Sequence, residues 1–175
     1  MMKTSQSTDR QERRIALFPG SFDPFTRGHE SIVTRALPLF DEIIIAIGVN
    51  INKQALTSMD LRQQLIESAF AHEPKVKVIT YTGLTTDAAR EHNANFLLRG
   101  VRMIQDFENE MNMAEVNREL SGIETILLYT LPEYSHISSS IVRELVKYGQ
   151  DVTSYLPHNT DWQLVPEHWI SNKHQ

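Results

Sequence analysis

The sequence predicts an α/β protein: a single domain with a five-stranded parallel sheet and helices on both faces. Short apolar runs alternate five times with segments of helical periodicity. One run, Glu42-Ile43-Ile44-Ile45-Ala46-Ile47-Gly48-Val49, is continuously apolar, as in a parallel strand covered on both sides. The chain's 175 residues, 41% hydrophobic and 22% charged, suffice for one sizeable core.

Residues 1–13 are polar and read as a disordered tail, leaving 14–175 as the domain. The first strand covers roughly Arg14 to Phe18, and the first helix roughly Gly28 to Leu39, where Pro38 marks the stop. The Glu42–Val49 strand leads into a polar loop, Asn50 to Gln54. Thr57 or Ser58 caps the second helix, whose apolar positions are Leu61, Leu65, Ile66, Ala69 and Phe70, and Pro74 closes it. Val76 to Thr80 is the third strand, Leu84 to Asn93 a short helix, and Asn95 to Leu98 the fourth strand. A long helix follows from Ile104 to Leu120, ended by Gly122, then a fifth strand from Ile123 to Tyr129. Leu131 to Ile137 is a loop, and Ser138 opens a last helix ending near Gly149. Further helical turns are expected around Thr153 and after Pro157.

Composition narrows the function. A net charge of −5 argues against a general nucleic-acid binder, which needs a basic face. The absence of cysteine excludes disulfides and thiolate metal sites. No apolar run reaches membrane length and residues 1–14 lack a secretory pattern, so a cytoplasmic protein without membrane partners is expected.

Ligands in parallel sheets bind beyond the carboxyl ends of the strands. The segments there are the Pro19–His29 turn, the Lys53 loop, the Gly83–Thr85 turn, the Arg99–Arg102 turn and the Tyr134–Ser140 loop. Four of the five carry a donor suited to phosphate. Phe18-Pro19-Gly20-Ser21-Phe22-Asp23-Pro24-Phe25-Thr26-Arg27-Gly28-His29 is rich in turn formers between a strand and a helix. That geometry offers free backbone N–H groups to an anion. Gly28 leaves the backbone open to a phosphate, and His29 adds an imidazole donor; the plain alternative is a capped connection. Asp23-Pro24 shapes the turn through an Asx contact. Lys53 in isolation is a solvated side chain; on this rim it is a candidate phosphate ligand. Arg99 and Arg102 either clamp two phosphates or pair with nearby acids such as Asp106. Ser138-Ser139-Ser140 is an N-cap whose hydroxyls also suit a triphosphate. His136 reads as a loop histidine, and Met103, Met111 and Met113 as packing or interface surface.

The Pro19–Pro24 turn with Thr26-Arg27-Gly28-His29 resembles the nucleotidyltransferase superfamily and its Thr/His-x-Gly-His motif. With Lys53, Arg99-Gly100-Val101-Arg102, Asp106-Phe107-Glu108 and Ile137-Ser138-Ser139-Ser140, the chain from about Arg14 to Pro157 resembles the bacterial phosphopantetheine adenylyltransferase family. The resemblance implies a Rossmann-like domain that transfers the adenylyl group of ATP to 4′-phosphopantetheine. The products would be dephospho-coenzyme A and pyrophosphate, formed by direct in-line attack without a covalent intermediate. It implies Mg²⁺ held mainly by ATP phosphates, with no residue assigned as a metal ligand, a homohexamer, and feedback by coenzyme A.

Carried over by position, it implies ATP contacts from Ser21, Phe22, His29, Gly100, Val101, Arg102, Glu110, Tyr134, Ser135, His136, Ile137, Ser138, Ser139 and Ser140. Ser21, Lys53, Thr85 and Arg99 would contact phosphopantetheine. His29, as transition-state stabiliser, Lys53 and Arg102 would be catalytic. The chain departs from the family pattern at Ser21, where threonine is frequent, at Asn109 in place of tyrosine, and at Thr85 in place of an apolar residue.

Overall fold

The computed structural model describes residues 13–49 and 55–170. Lys53, its loop, and the expected tail apart from Arg13 lie outside the described residues. In chain order the elements are β1 Ile15–Gly20, α1 Arg27–Ala36, β2 Glu42–Gly48, α2 Met59–Ala69, β3 Val76–Tyr81, α3 Thr85–Glu91, β4 Phe96–Val101, α4 Ile104–Ser121, β5 Glu124–Tyr129 and α5 Ser139–Lys147. Short 3₁₀ turns follow at Thr153–Tyr155 and Glu167–Trp169. The five strands form one parallel sheet in the order β3-β2-β1-β4-β5.

Strand alternation divides the core. Ala16, Phe18, Ile43, Ile45 and Ile47 face one side, under Ile32, Val33 and Ala36 of α1 and Ile66 of α2. Leu17, Ile44, Ala46 and Leu97 face the other, under Ala88 and Ala89 of α3. A third cluster joins Leu65 of α2 and Val142 and Val146 of α5 to Val152, Leu156, Val165 and Trp169.

Two strands run farther than their apolar stretches. β1 continues through Pro19 and Gly20, which pair with Ala46 and Ile47. β4 continues through Arg99, Gly100 and Val101, which pair with Leu127, Leu128 and Tyr129. The expected Arg99–Arg102 turn is therefore mostly strand, because the backbone ladder outlasts the hydrophobic pattern. Ser58, not Thr57, caps α2: its hydroxyl accepts from Leu61 N–H at 3.2 Å. α4 buries no residue, and Met103, Met111 and Met113 are exposed, so they are surface rather than packing. Among the described residues no helix is long and apolar enough to cross a membrane.

β1 pairs with β2 on one side and β4 on the other, so the chain reverses direction across the sheet at β1. Loops leaving β1 and β4 diverge there and open a crevice at their carboxyl ends.

Candidate active site

That crevice is a cleft of about 370 Å³. β1 and its following turn supply Gly20, Ser21, Phe22, Gly28 and His29; β4 and α4 supply Arg99, Gly100, Arg102, Asp106 and Glu110; Ile137 and the start of α5 supply Ser138, Ser139, Ser140 and Arg143. Segments more than 100 residues apart thus share one wall.

The β1–α1 turn is built around aromatic packing. Phe22 adopts φ 44°, a left-handed conformation for a non-glycine residue that costs roughly 1–3 kcal/mol. Its ring lies over Gly20, where a Cβ would meet ring atoms at 2.7 Å, so only glycine fits. At Gly28 a Cβ would meet no protein atom nearer than Thr26 Oγ1 at 3.6 Å. The protein does not itself require glycine at 28; the open space faces the cleft.

His29 is half-buried, with ring centroids of Phe22 and Phe25 at 5.2 Å and of Phe18 at 6.3 Å. The backbone N–H of Thr26 donates to His29 Nδ1 at 3.0 Å. Burial, reinforced by the positive charges of Arg102 and Arg99, lowers the imidazole pKa from 6.5 to about 4. At neutral pH the ring is uncharged, Nδ1 accepts, and Nε2 carries the proton.

Both arginines have acid partners. Arg99 donates from Nε to Glu110 Oε2 at 2.7 Å and from Nη2 to Glu110 Oε1, a bidentate fork. Its Nη1 reaches Pro19 O at 2.7 Å and ties β4 to β1 across the crevice. Arg102 pairs with Asp106 at 3.0 Å. Of the two alternatives the sequence offered, pairing with nearby acids is the one these contacts show, Arg102 with Asp106 itself and Arg99 with Glu110. The cleft is a mixed field, to which Arg143 adds a cation with no carboxylate in ion-pair range among the described residues. Arg143 donates to Asp23 O and Ser140 Oγ, both at 2.9 Å.

The other expected residues divide. Ser138 caps α5 through Ile141 N–H at 3.2 Å, and Ser139 Oγ donates to Pro24 O at 2.8 Å, so these hydroxyls shape the wall as well as line it. Val101 is buried and does not line the cleft. Tyr134, Ser135 and His136 border the rim without lining the cleft. Ser135 spends its hydroxyl on Pro132 O, His136 meets the Tyr155 ring at 6.4 Å, and the Tyr134 carbonyl lies over Gly28. Thr85 is outside the main cleft, hydrogen-bonded to Tyr81 OH at 3.0 Å. It lines a neighbouring hollow of about 110 Å³ that shares Pro19, Arg99 and Glu110 with the cleft. The wall of that hollow includes Thr125, whose buried Oγ1 has no hydrogen-bond partner among the described residues.

Asp23 does more than shape its own turn. It is buried and accepts from Leu56 N–H at 2.7 Å, Thr57 N–H at 3.0 Å and Thr57 Oγ1 at 2.7 Å, with Arg62 Nε 3.6 Å away. Sequence reasoning missed this network and missed Arg143. The only local signal for Arg143 was its position one helical turn beyond Ser138–Ser140.

The cytidylyltransferase-like family model matches residues 17–145, and the chain is accordingly a nucleotidyltransferase. Phosphopantetheine adenylyltransferase of Phocaeicola vulgatus is 54% identical over 144 residues, 82% of this chain and 95% of that protein. The enzyme of the same name from Porphyromonas gingivalis is 53% identical over 146 residues, 83% of this chain and 95% of its own. The chain belongs to the phosphopantetheine adenylyltransferase family. A solved structure of a bifunctional NMN adenylyltransferase/ADP ribose pyrophosphatase from Francisella tularensis shares the fold, with a TM-score of 0.66 at 18% identity over 85% of this chain and 46% of that one.

Proposed function

We propose that this chain transfers the adenylyl group of ATP to 4′-phosphopantetheine, releasing pyrophosphate and dephospho-coenzyme A. The observation that carries the reading is a neutral, oriented His29 in a cleft where two arginines and the Ser138–Ser140 helix start converge, in a chain of this family.

A phosphate oxygen of phosphopantetheine attacks the α-phosphorus of ATP. The new P–O bond forms as the bond to the bridging oxygen of pyrophosphate breaks. The attacking oxygen is already anionic, so no protein nucleophile or strong base is needed, and catalysis comes from positioning and charge stabilisation. His29 Nε2–H donates to the phosphoryl group as charge builds on it. Ser21, the open backbone at Gly28, Gly100, Arg102 and Ser138–Ser140 hold ATP. Thr85 and Arg99 face phosphopantetheine, whose uncharged arm enters the smaller hollow beside Leu97, Met113 and Asn117, and Lys53 is its third ligand. The cleft carboxylates Asp106 and Glu110 are each held by an arginine, so Mg²⁺ would be held mainly by the ATP phosphates, where it would supply charge compensation.

The enzyme works in the cytoplasm with its two soluble, charged substrates, as a homohexamer subject to feedback by coenzyme A. α4 buries none of its residues and leaves Ile104, Met111, Val116 and Leu120 exposed, which supports assembly. The test is pyrophosphate release with ATP and a panel of phosphorylated acceptors. Release with 4′-phosphopantetheine above all others is expected; release only with a different acceptor would reassign the substrate.

A further inference from the structure

The chain beyond α5 returns to the site. Leu156 O accepts from Arg27 Nε at 2.8 Å. The backbone N–H of His158 donates to both oxygens of Glu30 at 3.1 Å, and His158 Nδ1 lies 2.7 Å from Glu30 Oε2. A carboxylate only accepts, so Nδ1 carries the proton. Tyr155 meets the ring of His136, as described above. Residues Tyr155 to His158 therefore touch Arg27 and Glu30, which bracket Gly28-His29, and also the loop that lies over Gly28.

The strap is itself fixed. Leu156 and Trp169 are buried against Val142, Val146 and Leu65, and Val152 N–H donates to Trp169 O at 3.1 Å. Glu30 is buried, and every hydrogen bond recorded for its carboxylate among the described residues comes from His158. The first turn of a helix has backbone N–H groups with no internal partner and frays most easily. His29 sits in that turn of α1, where transfer requires the narrowest placement.

We propose that the Tyr155–His158 strap sets the position of His29 for adenylyl transfer, with Glu30 and His158 as positioning residues. The proposal rests on the adenylyl-transfer reading above. A displacement of about 1 Å at a reacting group costs up to about 10²-fold in rate.

The test compares Glu30→Ala, Glu30→Gln, His158→Ala and His158→Asn in the full chain. Pyrophosphate release with ATP and 4′-phosphopantetheine is measured well below each variant's melting temperature. His158→Ala and Glu30→Ala should lower kcat about tenfold or more, with KM for both substrates within about twofold of wild type. His158→Asn keeps an amide N–H that reaches the same carboxylate, and Glu30→Gln keeps one acceptor oxygen; each should return kcat to within about threefold of wild type. The proposal fails if both alanine variants keep kcat within about twofold of wild type, or if KM rises while kcat holds. It also fails if His158→Asn folds but recovers nothing. Should Glu30→Ala not fold, His158 decides alone, because its side chain is 56% exposed and contributes little to the core. Wild-type protein that releases no pyrophosphate sinks the adenylyl-transfer reading and the strap with it; active wild type with indifferent variants sinks only the strap.

Discussion

The bond from Thr26 N–H to His29 Nδ1 decides which proton the imidazole carries. With Nδ1 accepting, Nε2 is the only N–H of the neutral ring. This gives a prediction that distinguishes the two nitrogens. His29→Ala should fold normally and lose about 10²–10³ in turnover, the usual cost of one oriented donor. His29→Gln, which carries an amide N–H at the Nε2 position, should retain more activity than His29→Asn, whose donor stops at the Nδ1 position. Equal activity in the two amides would place the working proton elsewhere.

The lowered pKa of His29 has a consequence for stability. The folded ring binds its proton near pH 4 and the unfolded ring near 6.5, so between those values the unfolded chain holds more protons. Stability from this group is complete above pH 6.5, falls as the pH drops through that window, and is fully lost below about 4. Chemical denaturation across the window, compared between wild type and His29→Gln, measures it; the variant should show the shallower decline. A ring resonance titrating near 6.5 would contradict the geometry.

Gly28→Ala separates a structural glycine from a functional one. Among the described residues outside its own helix backbone, the atom nearest to the added Cβ is Thr26 Oγ1 at 3.6 Å. Stability should hold or rise by about 0.4–1 kcal/mol, as alanine narrows the unfolded ensemble. Turnover should fall by about tenfold or more, since the Cβ occupies the approach to the helix N-terminus. Pyrophosphate release and thermal melting on the same sample read both effects.

These experiments concern a site that was partly legible in the chain. Five strands, the turn from Pro19 to His29 and the convergence on one rim follow from periodicity and turn chemistry. The pairing of Arg99 with Glu110 does not, because it joins a strand to a helix and depends on how α4 lies across β4. The extent of β4 was hidden because ladder bonds, not hydrophobicity, carry Arg99 and Gly100 into the sheet. Asp23 read as a local turn former because its partners, Leu56 and Thr57, lie 33 and 34 residues away. The C-terminal strap was invisible for the same reason: nothing near Trp169 in sequence announces burial against α2 and α5.

Asp23→Asn should destabilise the fold by about 3 kcal/mol, because it leaves Arg62 charged, buried and without its counter-ion. Denaturant unfolding measures this. A loss below about 1 kcal/mol would mean that the hydrogen bonds from Thr57, not the charge, hold the turn.

Met111→Lys with Val116→Lys introduces two charges among the exposed apolar residues of α4. Light scattering should report a hexamer for wild type and smaller particles for this variant. An unchanged particle size would put the contacts between chains on another surface.

Arg99 and Glu110 stand between two rooms, the larger cleft and the smaller hollow, and belong to the walls of both. A compound shaped for the small room alone would leave the larger cleft, where we propose ATP binds, vacant yet press on the fork the two rooms share. Inhibition of that kind would not be outcompeted by raising ATP.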